Sequence, residues 1–137
     1  MTVFIPKNLQ DACSFIAEHS DAHLLTGGTD LMVEVNFNHR RPETVVALGK
    51  VEELHQVSIS NDHIVIGAAV PYAQMEKGAI ANALPALAEA ARTVGSPQIR
   101  ATGSIGGNLG TCSPAGDSLP VLSALDANIN LQSASSS

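Results

Sequence analysis

"LLTGGTDLM", residues 24–32, sets two adjacent glycines between an apolar pair and a second apolar run. "HLLTGG" has the form of a brief buried strand stopped by glycines, and Thr29 is placed to cap a following helix carrying Leu31, Met32, Val33 and Val35. Glycines at such a strand-to-helix turn admit positive φ and let another group approach the main chain closely. Successive N–H groups can then converge on an anion, and the helix beyond adds free N–H groups and its positive dipole end. A tight turn explains the same residues without any ligand.

The same design recurs in "TGSIGGN", residues 102–108, where Ser104 and Asn108 join Thr29 as neutral donors. Neither loop fits G-x-G-x-x-G after a long βαβ unit, and neither fits the phosphate loop ending in Gly-Lys-Ser/Thr. Two loops together suit a diphosphate better than either does alone.

Around these loops, Asn8 and Asp11 suit the start of a helix with Leu9, Ala12, Cys13, Ile16 and Ala17 on one face. "TVVAL" (44–48) reads as a strand and "VEELH" as a turn of helix. "QVSIS" and "HIVIGAAV" flank Asn61-Asp62 as a hairpin. Pro71 opens a helix that Gly78 ends, and "ALPALAEAARTVG" gives the strongest helical face in the chain, with Leu84, Leu87, Ala88, Ala91 and Val94. Residues 96–116 hold five glycines and two prolines in 21 positions, so an ordered functional loop is expected there, without regular elements. A helix from Asp117 and a strand through Ala127, Ile129 and Leu131 follow, then a frayed tail. A hairpin after parallel-looking units makes the fold class α+β.

The 137 residues fit one domain with a core of its own; 45% are hydrophobic and 15% charged. With only three Phe, one Tyr and no Trp, that core is aliphatic. A formal charge of −6, with His39-Arg40-Arg41 as the tightest basic cluster, argues against nucleic-acid binding. Cys13 and Cys112 stand far apart and outside any Cys/His cluster, so no metal site is expected. No apolar run reaches the ~18 residues of a membrane helix and the N-terminus lacks a signal-peptide core, so the expectation is a soluble cytoplasmic protein. The histidines at 19, 23, 39, 55 and 63 are scattered, and "GSIG" around Ser104 lacks the nucleophile-elbow pattern. No catalytic residue is assigned. Asp117 suits a ligand hydroxyl or amine, or simply the cap of the last helix.

"LLTGGTDLM", "VVALGKVEELHQVSISNDHIVIGAAV" and "RATGSIGGNLGTCSPAGDSLPVLSALDA", in this order over about residues 4–132, resemble the FAD-binding (medium) subunits of molybdenum hydroxylases of the xanthine dehydrogenase and carbon monoxide dehydrogenase type. The resemblance implies a vanillyl-alcohol-oxidase-like (PCMH-type) FAD-binding fold. A small N-terminal α/β subdomain, about 1–54, would precede part of a second mixed α+β subdomain, about 55–132, and a disordered tail, 133–137. It implies FAD contacts at Leu24, Leu25, Thr26, Gly27, Gly28, Thr29, Asp30 and Leu31, at Ser104, Ile105, Gly106, Gly107 and Asn108, and at Asp117. It also implies an oxidoreductase subunit, not active alone. An iron-sulfur subunit with [2Fe-2S] clusters would feed electrons through FAD to NAD+ or another acceptor, and a molybdopterin-binding large subunit would oxidise the substrate. Family members continue well past the equivalent of Leu131, so a truncated chain or natural fragment, with one wall of the flavin ring missing, is expected. Two other readings stay open: a docking fragment of the same complex that holds no flavin, and an unrelated phosphate or nucleotide binder.

Overall fold

A computed structural model describes residues 1–135. Three short strands, β1 (Thr2–Phe4), β2 (His23–Leu25) and β3 (Thr44–Ala47), form a parallel sheet in the order β1-β3-β2. The β-branched run of β3 takes the centre, where Val45 and Val46 are fully buried, as a strand covered on both faces requires. β1 lies outside every strand expected from the sequence. Its residues Thr2 and Val3 are exposed, so it carries no buried apolar run to announce it.

Parallel neighbours need crossovers, and α1 (Leu9–Glu18) and α2 (Leu31–Asn36) supply them. Asn8 caps α1 as expected: its side chain accepts the Asp11 N–H at 2.8 Å. Ala12 and Cys13 are buried, and Phe15 stacks on Phe4 of β1 with ring centroids 4.0 Å apart. Thr29 does not cap α2. The N-cap position falls on Asp30, whose carboxylate accepts the Thr111 hydroxyl at 2.9 Å instead of a helix N–H.

Two turns of 3₁₀ helix, Leu48–Lys50 and Glu52–His55, lead to the expected hairpin of β4 (Val57–Ile59) and β5 (Ile64–Ile66). α3 (Tyr72–Met75) ends before Gly78, which at φ +70° opens α4 (Gly78–Ala83) instead of closing the preceding helix. α5 (Pro85–Thr93) matches the helix read from "ALPALAEAARTVG", with Pro85 at its start and Leu87, Ala88 and Ala91 inside. These helices enclose the main core of Val70, Tyr72, Met75, Ile80, Leu87, Ala91 and Ile105.

Residues 96–116 correct the expectation of a loop without regular elements. α6 (Pro97–Thr102) starts from Ser96, whose hydroxyl accepts the Ile99 N–H, and α7 (Ile105–Thr111) starts from Ser104, whose hydroxyl accepts the Gly107 N–H at 3.1 Å. Arg100 fastens α6 in place. Its Nε meets Glu76 Oε1 at 2.5 Å, and its Nη1 donates to Val94 O and Gly95 O.

α8 (Ser118–Ala124) follows the Asp117 N-cap position, although the Asp117 carboxylate makes no cap bond. Residues 127–132 are not a strand, because alternating apolar residues become one only beside a ladder partner, and Ile129 and Leu131 are exposed. Of the expected tail, Ser133–Ser135 are exposed, and residues 136–137 lie outside the described residues. Among the described residues no helix is long and apolar enough to cross a membrane.

Leu87→Ala removes a fully buried side chain from the centre of the core. A loss of about 2–5 kcal/mol is expected, read as a lower urea midpoint with the slope unchanged.

Candidate functional site: the two glycine loops

The loop after β2 and the junction of α6 and α7 meet backbone to backbone. A Cβ on Gly27 would lie 1.9 Å from Thr102 O and 2.9 Å from Gly103 N, so only glycine admits this contact. In the other direction a Cβ on Gly103 would reach 3.4 Å from Thr29 Oγ1. The Thr111–Asp30 hydrogen bond closes the pair at the far end of α7. Two segments separated by about seventy residues of sequence thus form one feature at the carboxyl end of a parallel strand, the end at which open α/β sheets bind ligands.

The two loops differ in what their amides do. At the second loop the Ile105 N–H donates to Val70 O (3.3 Å), Gly106 to Ala68 O (2.9 Å), Gly107 to Ser104 Oγ (3.1 Å) and Asn108 to Ser104 O (3.0 Å). Every N–H of the first turn of α7 is therefore committed within the protein, which corrects the expectation of free amides at that helix. At the first loop, none of the hydrogen bonds of the described residues uses the N–H of Gly27, Gly28, Thr29 or Asp30. These residues are part-exposed or exposed, and Gly28 takes φ +72°, the left-handed conformation that lets neighbouring amides turn to a common side. The first loop therefore carries the open donors.

The glycines divide the same way. A Cβ on Gly106 would strike Ala68 at 2.6 Å, so this glycine, like Gly27, is required by the protein's own packing. On Gly107 a Cβ would touch only Ser104 Oγ, at 3.1 Å, and on Gly110 it would meet nothing within 4 Å. One side of α7 is bare backbone.

The remaining expected site residues fall around this centre. Leu24 is half exposed on β2, with Leu25 and Thr26 leading into the loop and Leu31 opening α2. Ser104 and Ile105 are buried, the first as a cap and the second as part of the core. Asn108 is part-buried, and its Oδ1 accepts the Ser118 hydroxyl at 2.9 Å. Asp117 is exposed at the head of α8. Thr102, Gly103 and Thr111 also take part in the contact between the loops. The Ser96-Pro97 and Ser104-x-x-Gly107 starts, with Ile105 and Leu109 one turn apart, are the sequence signals for the helices that carry Thr102 and Thr111, with Gly103 between them.

The histidines at 19, 55 and 63 make contacts within their own elements and turns. His19 Nδ1 lies 3.1 Å from Phe15 O, His55 Nε2 3.0 Å from Gly49 O, and His63 Nδ1 3.2 Å from Ser60 Oγ, each a local contact. Among the described residues no group of three or more His, Cys, Asp and Glu is placed to hold a metal. Burial raises the Tyr72 hydroxyl above its ordinary pKa against the opposing effect of the Ser118 hydrogen bond, and the Asp117 and Asp30 charges add to the rise.

Comparison with known proteins gives this mixed fold, with its two glycine loops at a sheet edge, its class: it is shared with medium-sized subunits of known dehydrogenases and oxidoreductases. The structure superposes on a Cu,Mo carbon monoxide dehydrogenase with TM-score 0.81 at 28% identity, covering 85% of this chain and 42% of that one. It matches quinoline 2-oxidoreductase from Pseudomonas putida with TM-score 0.76 at 27% identity, over 80% of this chain and 39% of that one. The family described as "FAD binding domain in molybdopterin dehydrogenase" matches residues 1–137, and the chain belongs to that family. The nicotinate dehydrogenase FAD-subunit of Eubacterium barkeri is 39% identical over 133 residues, 95% of this chain and 45% of that protein. The carbon monoxide dehydrogenase medium chain of Hydrogenophaga pseudoflava is 31% identical over 129 residues, 93% and 45% of the two chains. The chain thus spans less than half the length of these curated relatives.

Gly27→Ala is expected to lower the urea midpoint sharply, because its methyl meets the Thr102 carbonyl. Gly110→Ala, with open space and a helical backbone, is expected to raise stability by about 1 kcal/mol. For Tyr72 the folded-state pKa lies above the unfolded one, so its contribution is complete below the ordinary value of 10.0 and is lost as pH rises through the folded value. Urea midpoints of the wild type are expected to fall above pH 10 more steeply than those of Tyr72→Phe.

Proposed function

We propose that this chain is the dinucleotide-holding part of an FAD subunit in a molybdenum-containing dehydrogenase. The observation that carries the reading is the first loop: four consecutive amides with no acceptor among the described residues, at a junction with the segment leading into α7, one face of which glycine leaves bare. That is a fit for the oxygens of a diphosphate, which are recognised by convergent N–H groups and need main chain at close range.

In this reading Gly27, Gly28, Thr29 and Asp30 hold one side of the diphosphate through their amides, with Leu24, Leu25, Thr26 and Leu31 shaping the approach. Gly107 and Gly110 leave room on the α7 side, Asn108 adds a side-chain donor, and Asp117 accepts from a hydroxyl of the ligand. Ser104, Ile105 and Gly106 act by holding α7 in place. Bound FAD supplies the electron-transfer chemistry, and the protein supplies placement and exclusion of competing contacts. In the same reading the N-terminal subdomain ends near residue 54, which the separation of the parallel and antiparallel sheets supports.

The names of the relatives, an "FAD-subunit" and a "medium chain", support a role within a larger oxidoreductase. The chain's partners are then an iron-sulfur subunit and a molybdopterin-binding subunit. Electrons leave through FAD to NAD+ or another acceptor.

Titration with FAD is expected to give saturable quenching of flavin fluorescence. Gly107→Val, which fills the open side of α7, is expected to weaken binding about tenfold, ~1.4 kcal/mol, with the circular dichroism unchanged. Flavin fluorescence that never saturates with wild-type chain overturns the reading, and an unaltered affinity in Gly107→Val removes α7 from the site.

A further inference from the structure

Behind Asn108 lies a buried polar chain. Ser118, the first residue of α8, is fully buried; its Oγ donates to Asn108 Oδ1 at 2.9 Å and stands 3.2 Å from the Tyr72 hydroxyl. Tyr72, the first residue of α3, is itself 2% exposed and belongs to the main core.

A serine hydroxyl has one proton. With that proton on Asn108 Oδ1, the Tyr72 hydroxyl donates to Ser118 Oγ, and the direction runs outward from core to loop. The reverse direction would have the Asn108 NH₂ donate to Ser118 and Ser118 donate to the phenol oxygen. It would give the acidic phenol proton no partner in the chain and use the phenol as an acceptor only. The outward direction engages all three groups in their stronger roles, and each bond polarises the next.

The consequence falls on the carboxamide. With Oδ1 held, its NH₂ group is turned away from Ser118, and no described residue accepts a hydrogen bond from Asn108 Nδ2. Turned the other way, the carboxamide would face an anionic ligand with its carbonyl oxygen, a repulsive contact that must be relieved before binding.

We propose that Ser118 and Tyr72 are positioning residues for the dinucleotide: their directed hydrogen-bond chain holds the Asn108 carboxamide in the one orientation that offers NH₂ to an anionic oxygen of the ligand. The inference rests on the assignment of Asn108 to the FAD site. It places part of the binding determinant in the core, on side chains that never touch the ligand.

FAD affinity measured by flavin fluorescence across wild type, Ser118→Ala, Asn108→Ala and the double variant tests it. Ser118→Ala is expected to weaken FAD about tenfold, and to have no further effect once Asn108 is alanine. Tyr72→Phe is expected to act in the same direction by a smaller factor, again only with Asn108 present. Equal effects of Ser118→Ala with and without Asn108 mean general loosening of the fold and overturn the positioning role. So does wild-type affinity in Ser118→Ala while Asn108→Ala binds weakly. Undiminished binding by Asn108→Ala, or no binding by the wild-type chain, instead overturns the site assignment beneath it. Should circular dichroism show Ser118→Ala unfolded, the Tyr72→Phe cycle decides by the same criteria.

Discussion

The approach of Gly27 to the Thr102 carbonyl is the contact on which the site depends. A methyl group there would sit 1.9 Å from the oxygen, so the two loops meet this closely only because Gly27 has no side chain. That contact sets the first loop against the start of the α6–α7 segment, main chain to main chain. A hydrophobic contact tolerates a shift of an ångström by repacking, whereas two backbones in contact have no rotamers to adjust. The precision of the site follows from this rigidity, and so does its intolerance of substitution.

The helix α7 shows how that rigidity is maintained against local preference. "IGGNLGT" has three glycines in seven residues, each unfavourable in a helix by about 1 kcal/mol relative to alanine. Local propensity predicts no helix. Tertiary contacts reverse the balance: Ser104 caps the first turn, Ile105 is buried in the core with Leu109 packed against it, and Gly106 donates to Ala68 O while fitting against the Ala68 side chain. The glycines that weaken the helix are the ones that let it touch Ala68 on one side and stay bare on the other. Arg100, held by Glu76 and two carbonyls, fixes the preceding helix and thereby the position of Thr102.

Much of the fold was legible because its signals are local. The Asn8 cap, the β-branched run of β3, the Asn61-Asp62 turn and the Pro85-to-Val94 face each declare an element within about ten residues. The errors share a cause: they lie where distant contacts decide. The strand β1 exists because β3 offers it a ladder, residues 127–132 remain irregular because no described strand pairs with them, and α7 forms because the core receives Ile105. For the site, the two glycine motifs were readable as a pair, but not which amides each would leave open. That depends on Ala68 and Val70, more than thirty residues before α7, whose carbonyls occupy the second loop's donors.

The charge pattern gives this arrangement a further meaning. Neither loop contains a lysine or arginine, Asp30 and Asp117 stand beside it, and Arg100 is taken up by Glu76. A diphosphate held here meets oriented N–H dipoles and not a counter-ion. Asp30 would oppose an anion, yet its carboxylate accepts the Thr111 hydroxyl, which draws its oxygen toward the end of α7 while its own N–H remains open. Dipoles at contact distance act over a few ångströms and are screened by salt far less than separated surface charges. Selectivity in such a site comes from fit: an anion is accepted only if its oxygens reach all the amides at once, which free phosphate or a surface carboxylate does with difficulty and an extended dinucleotide does along its length. On the proposed function, the bare glycine backbone and the polar chain behind Asn108 are two means to that one end, shape without charge.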